Sequence, residues 1–213
     1  MTIRRAAFVV YATLAMACSV FAQDKVSPQA SGLFRGVYTT IDISSSQKME
    51  LRLASGSERR AAVREVLRNP GDYAPPVLYA LANALSADRP EDAIFWYHVG
   101  RLRIVYDALL CRDKTVRKII PVIGRTLSVE LRYAQYYHRD VVLEIAKKAI
   151  AWDASNPRNY DQRWIALFGE VAQTSPGTDV GEVSRSKRRW PEILQHVHDS
   201  HLTSVEAFAA EKK

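Results

Sequence analysis

A chain of 213 residues with 47% hydrophobic composition carries enough apolar side chain to bury a sizeable core in one domain, which excludes general disorder. Its 30 Lys and Arg against 23 Asp and Glu give a formal charge of +7, a moderately basic balance.

Residues 1–22 have the three parts of a secretory signal peptide: positive Arg4 and Arg5, an uncharged apolar run over 6–21, and small Ala22 with Val20 two places before it. A membrane anchor needs roughly 20 apolar residues and a flanking charge that stops transfer. This run ends instead in Ala22, Gln23 and Asp24. Cleavage after Ala22 is therefore expected, with export to a periplasmic space. Lipoprotein anchoring through Cys18 is the alternative, although Ala15, Met16 and Ala17 supply no large aliphatic residue three places ahead of it. Arg4-Arg5 lacks the bulky apolar residue of a twin-arginine signal two positions on, where Ala7 stands. Loss of Arg4 and Arg5 takes the formal charge from +7 to +5 and leaves Cys111 as the one cysteine, so the mature fold is expected to hold by packing without an intrachain disulfide. In an apolar helix Cys111 reads as a small buried hydrophobe.

Residues 23–56 read as an extended N-terminal segment. After a polar stretch over 23–32, Val37, Thr39, Ile41 and Ile43 alternate with other residues, and Met49-Glu50-Leu51-Arg52-Leu53 alternates too. A β-hairpin turning at Ser44-Ser45-Ser46-Gln47 or an extended arm fits this pattern. The helical core is expected over 57–173. Ser57 can cap a helix carrying Val63, Val66 and Leu67 until Asn69-Pro70-Gly71 stops it. Pro75-Pro76 then open a helix over 77–85, because a first-turn N–H would be unpaired anyway.

The next helix is the most informative. Asp88 and Glu91 have capping-box spacing, and the helix they announce runs to about Leu110 with apolar residues on several sides. Phe95, Val99, Leu102 and Tyr106 form one stripe, and Ala93, Tyr97, Gly100 and Ile104 another, as expected of a central helix covered by neighbours. Gly100 within a helix costs about 1 kcal/mol against alanine, which points to a close helix approach. Ala93-Ile94-Phe95-Trp96-Tyr97, followed by Gly100, resembles the Ala-x-x-Trp-Tyr stretch of a Sel1-like second helix, so that residues 77–105 are similar to one hairpin of the Sel1-like or tetratricopeptide type. Ala146-Lys147-Lys148-Ala149-Ile150-Ala151-Trp152-Asp153, ending at Asn156-Pro157, is a second echo. The resemblance implies stacked helical hairpins of a kind that binds peptides or proteins, and it transfers no binding residue.

Further helices follow over 116–124, interrupted by Pro121, over 127–137, and over 140–152, where Val141, Ile145, Lys148 or Ala149, and Trp152 share a stripe. Another is expected over 161–171, then a breaker-rich loop at 174–178. The 174–213 region closes with a helix from Trp190-Pro191-Glu192 and a polar tail. The fold expected is all-α, with stacked helical hairpins in one domain.

Chemistry is sparse. His196 and His198 point about 200° apart on a helix, so His196-x-His198-x-x-His201 reads as a solvated polar face and not as a metal site. No nucleophile elbow, phosphate-binding glycine loop or zinc-helix motif is present, so no catalytic residue, cofactor or metal is assigned, which weighs against an enzyme. His98, beside Trp96, Tyr97, Arg101 and Arg103, is either a core histidine or part of a ligand-binding cluster. Arg101 and Arg103 in so apolar a helix are expected to be buried and paired, with Asp107, four residues after Arg103, as one partner; the other reading is a cationic pocket for a carboxylate or phosphate. Arg185, Lys187, Arg188 and Arg189 with Trp190 form a basic patch, which reads first as a solvated basic loop; as a binding surface, export turns it from nucleic acid toward the anionic lipid headgroups of a membrane surface, lipopolysaccharide or an acidic protein.

Three functions follow. The first is an exported module that binds another protein in the envelope or outside the cell, an immunity-type inhibitor of a toxin being one specific case. The second is a small-ligand-binding protein or enzyme centred on residues 96–103. The third is an envelope-surface factor that binds anionic lipid.

Overall fold

The computed structural model describes residues 36–174 and 181–211. The expected signal peptide over 1–22, the possible lipidation at Cys18, the polar stretch over 23–32 and residues 175–178 of the expected loop lie outside the described residues. Among the described residues the chain forms α-helices joined by short 3-10 turns: α1 Ser44–Ala54, α2 Arg59–Arg68, α3 Pro75–Leu85, α4 Pro90–Leu110, α5 Ile119–Gly124, α6 Val129–Tyr137, α7 Arg139–Ser155, α8 Glu170–Thr174 and α9 Trp190–Ala210. No strand occurs there beyond an isolated antiparallel bridge between Cys111 and Ser184. The protein is an all-α domain of stacked helices.

The N-terminal segment departs from the extended reading. Residues 44–54 are helical because Met49 and Leu53, one turn apart, enter the core together while Leu51 between them is 58% exposed. Spacing of two and spacing of four coincide at Met49 and Leu53, and burial selects the helix. Ser46, expected in a turn, lies inside α1 and its hydroxyl accepts from the Ala74 N–H at 3.0 Å. That bond fixes α1 against the start of α3.

Neither expected side-chain cap forms. α2 begins after Glu58 without one, and Arg89 precedes α4, whose first residue is Pro90; Glu91 and Asp92 still place negative charge at its positive end. Ser128 does cap α6, accepting from the Leu131 N–H at 3.1 Å. Pro121 sits in the first turn of the short α5, and Asp161 starts a 3-10 turn over Gln162–Phe168 where a regular helix was expected. On α7 the buried stripe is Val142, Ile145, Ala146, Ala149 and Asp153, rotated from the expected one.

α4 is the central helix, packed against α3, α6, α7 and α9. A side chain at Gly100 would bring its Cβ within 2.9 Å of the Tyr79 ring and 3.3 Å of Leu78, so the close approach of α3 and α4 needs the glycine. Trp96 is buried edge-on against Phe95 and Trp152, with centroids 5.1 and 5.3 Å away. Cys111 is free and buried, and burial pushes its thiol up to about 11. The bridge at Cys111 is flanked by Arg112 N–H to Val183 O and Arg185 N–H to Leu110 O, both 2.8 Å, which tie the segment before α9 to the end of α4.

Candidate functional site

Helices α4 and α9 meet twice, with opposite chemistry. At the first meeting the polar groups are sealed in. Arg103 and Asp153 are both 0% exposed, and Arg103 Nε donates to Asp153 Oδ1 at 2.9 Å. Arg103 Nη2 also reaches the carbonyls of Asn156 and Pro157 at 3.3 Å, and its guanidinium lies 5.0 Å from the Trp152 ring centroid. Asp153 Oδ2 is shared by Arg158 Nη2 and, at 3.1 Å, by His198 Nε2. Burial pushes the Asp153 carboxyl up, but the His198 bond and the Arg158 and Arg103 charges outweigh it and hold the group below its ordinary value. Arg103 is thus a buried ion-pair member, as one reading expected, but its partner comes from α7.

Asp107 is occupied elsewhere. It accepts from the Tyr160 hydroxyl at 3.0 Å and from Trp164 Nε1 at 2.7 Å. Burial raises its carboxyl to about 7 against these bonds and the nearby arginines. The C-terminal histidines correct another expectation. His196 is exposed, whereas His198 is buried on Asp153 and His201 turns inward, so they form no single solvated face. Among the described residues no three His, Cys, Asp or Glu side chains group closely enough to hold a metal.

At the second meeting the helices part around a cleft of about 410 Å³. Tyr97, His98, Arg101, Leu102 and Val105 lie on one face of α4 at turn spacing; Val197, His201, Val205 and Phe208 face them from α9, and Gln135 and Val142 close the side. His98 Nδ1 and His201 Nε2 are 2.9 Å apart, with ring centroids at 5.0 Å. Burial pushes His98 down to about 3, helped by the His201 charge, and His201 down to about 4, helped by Arg101. Both rings are therefore neutral at pH 7, one donating and the other accepting the single proton between them. His98 is buried, and its Nε2 has no hydrogen-bond partner among the described residues. Arg101 is half-buried beside the Tyr79 hydroxyl, and among the described residues no acidic side chain lines the cleft.

Of the cluster expected from sequence, Tyr97, His98 and Arg101 come together at this cleft, while Trp96 and Arg103 are enclosed in the core. His201 arrives from 103 residues away, a pairing no local pattern could signal. A second omission is on α6, where Tyr133, Tyr136 and Tyr137 are 57%, 44% and 65% exposed. Tyr133 stacks on Tyr137 at 6.0 Å, and Arg139 bridges Tyr136 to the cleft residue Phe208, at 4.9 and 4.5 Å from the two rings. Their spacing of three and four residues was legible as an aromatic stripe beside the buried one.

The basic patch divides. Arg185 Nε donates to Leu109 O at 2.9 Å, and Trp190 Nε1 to Arg185 O at 3.0 Å, so these two secure the segment before α9. Lys187, Arg188 and Arg189 are exposed, with Lys187 over the Trp190 ring at 5.8 Å.

Fold and cleft together define an all-α protein of stacked helices with a polar-floored groove. No family model matches the chain, and neither a curated protein nor a solved structure is significantly similar to it.

Proposed function

We propose that the protein is an exported helical interaction module whose cleft between α4 and α9 receives an acidic, apolar-flanked segment of a partner protein. The observation that carries this reading is a cleft with apolar walls in which Arg101 stands among neutral histidines and, among the described residues, no carboxylate lines it. A guanidinium in such a setting favours a carboxylate brought by a ligand, and the apolar walls reward the side chains beside it. The exposed tyrosines linked to the rim through Arg139 extend the same surface with residues enriched at protein interfaces. Membership of the Sel1-like or tetratricopeptide class for residues 77–105, and an immunity-type role against an envelope toxin, belong to this proposal as its specific forms.

Selection of a displayed random-peptide library on the purified mature chain tests it. The expected outcome is enrichment of sequences with Asp, Glu or a terminal carboxylate next to large apolar residues, with binding abolished by Arg101→Glu. Enriched peptides without a carboxylate, or insensitivity to Arg101→Glu, would contradict it. The paired rings of His98 and His201 beside Arg101 in the cleft lining favour a second reading, a small carboxylate-bearing ligand in the same cleft. That reading gains if peptides fail and short-chain carboxylic acids shift the His98 resonances.

A further inference from the structure

A second concavity, separate from the cleft, lies where the start of α9 faces the chain after α4. It encloses about 230 Å³ and is lined by Arg117, Arg185, Arg189, Glu192 and His196 over the apolar side chains Leu109 and Ile193. Arg117 comes from the 3-10 turn Lys114–Lys118, so it is no part of the basic run that precedes α9. Three guanidiniums from two separate stretches of the chain therefore converge on one hollow.

Their charge is weakly compensated. Glu192 is the one acid lining the hollow among the described residues, and it meets Arg189 at 3.4 Å with both side chains more than half exposed, a pairing that water largely screens. Arg185 is anchored through Nε on Leu109 O, which fixes its fork and leaves its terminal Nη groups for another acceptor. The hollow also sits at the positive end of α9, a helix of 21 residues. Pro191 in the first turn has no N–H, so one of the backbone donors that a helix start offers an anion is missing there and side chains must make up the grip.

We propose that this hollow binds a phosphate group, held by Arg117, Arg185 and Arg189. Planar guanidinium forks match tetrahedral phosphate oxygens, and several forks around one hollow suit a dianionic phosphomonoester better than a singly charged carboxylate. Lys187 and Arg188 do not line the hollow, so the site is a subset of the basic patch joined by Arg117. Phosphate of this kind is presented by a soluble phosphomonoester or by a lipid headgroup such as phosphatidic acid.

The test is calorimetric titration of the mature chain with glycerol 3-phosphate at low salt, then sedimentation with phosphatidylcholine vesicles with and without phosphatidic acid. Saturable binding is expected, weakened about tenfold or more in Arg117→Ala/Arg189→Ala, as loss of two charge-assisted contacts requires. Arg60→Ala/Arg64→Ala, which removes equal charge from exposed positions on α2, should leave it unchanged. Absence of saturable binding, or equal weakening in both double variants, would overturn the site. Sedimentation with phosphatidic acid that is lost only in Arg117→Ala/Arg189→Ala assigns the phosphate to a lipid. No sedimentation alongside retained glycerol 3-phosphate binding assigns it to a soluble ligand.

Discussion

The sealed network around Asp153 and the open cleft around His98 are built by the same two helices, with Arg103 and Arg101 two residues apart on α4 and His198 and His201 three apart on α9. On the sealed side each charge meets an opposite charge from α7 or the 156–158 segment. On the open side no acid among the described residues lines the cleft, and Asp153 reaches His201 only through its field. Two residues on a helix turn the side chain about 200°, enough to move an arginine from internal support to a surface that can address a ligand.

The comparison can be broken most sharply at Asp153. Asp153→Ala leaves Arg103 buried without its partner and should cost about 3–5 kcal/mol in denaturant unfolding. Loss below about 1 kcal/mol would mean that the network does not hold α4, α7 and α9 together. Trp96→Ala, which empties an aromatic site between Phe95 and Trp152, should cost about 3–5 kcal/mol as well.

Acid separates the two sides next. His98 and His201 have folded values lowered to about 3 and about 4 from 6.5, so their stabilisation is present above pH 6.5 and is lost as pH falls toward those values. Unfolding free energies between pH 6.5 and 4 should fall by the order of a few kcal/mol in the parent and far less in His98→Leu/His201→Leu. Asp107 acts with the opposite sign: raised from 3.8 to about 7, it stabilises at low pH and loses that contribution as pH rises through 7. Asp107→Asn should therefore steepen the acid loss. The smallest effect is expected at exposed Arg188, where Arg188→Ala should stay within about 0.5 kcal/mol, against about 1–3 kcal/mol for His198→Ala.

Sequence made α4 legible because its identity rests on local features: apolar residues on several faces, acids in the first turn, and a glycine where α3 comes close. Burial and pairing of Arg103 were legible too, since a charge in so apolar a helix must be compensated, but the same expectation for Arg101 fails because its side chain lines the open cleft. The partner of Arg103 was not legible, because Asp107 and Asp153 are equally plausible acids until the fold places Tyr160 and Trp164 on the first. The α1 helix was hidden by the coincidence of two-residue and four-residue spacing at Met49 and Leu53. Half of the cleft was readable in Tyr97, His98 and Arg101. The other half, on α9, looked like a polar surface, because a buried histidine bonded to a distant acid or imidazole has the same local sequence as a solvated one.

Nitrogen-15 spectra of the histidine rings, recorded while a library-selected acidic peptide is added, test the two-sided account most directly. His98 and His201 should shift with saturation while His198, locked on Asp153, stays in place. Movement of His198 with unmoved His98 and His201 would contradict the assignment of the open side to the ligand.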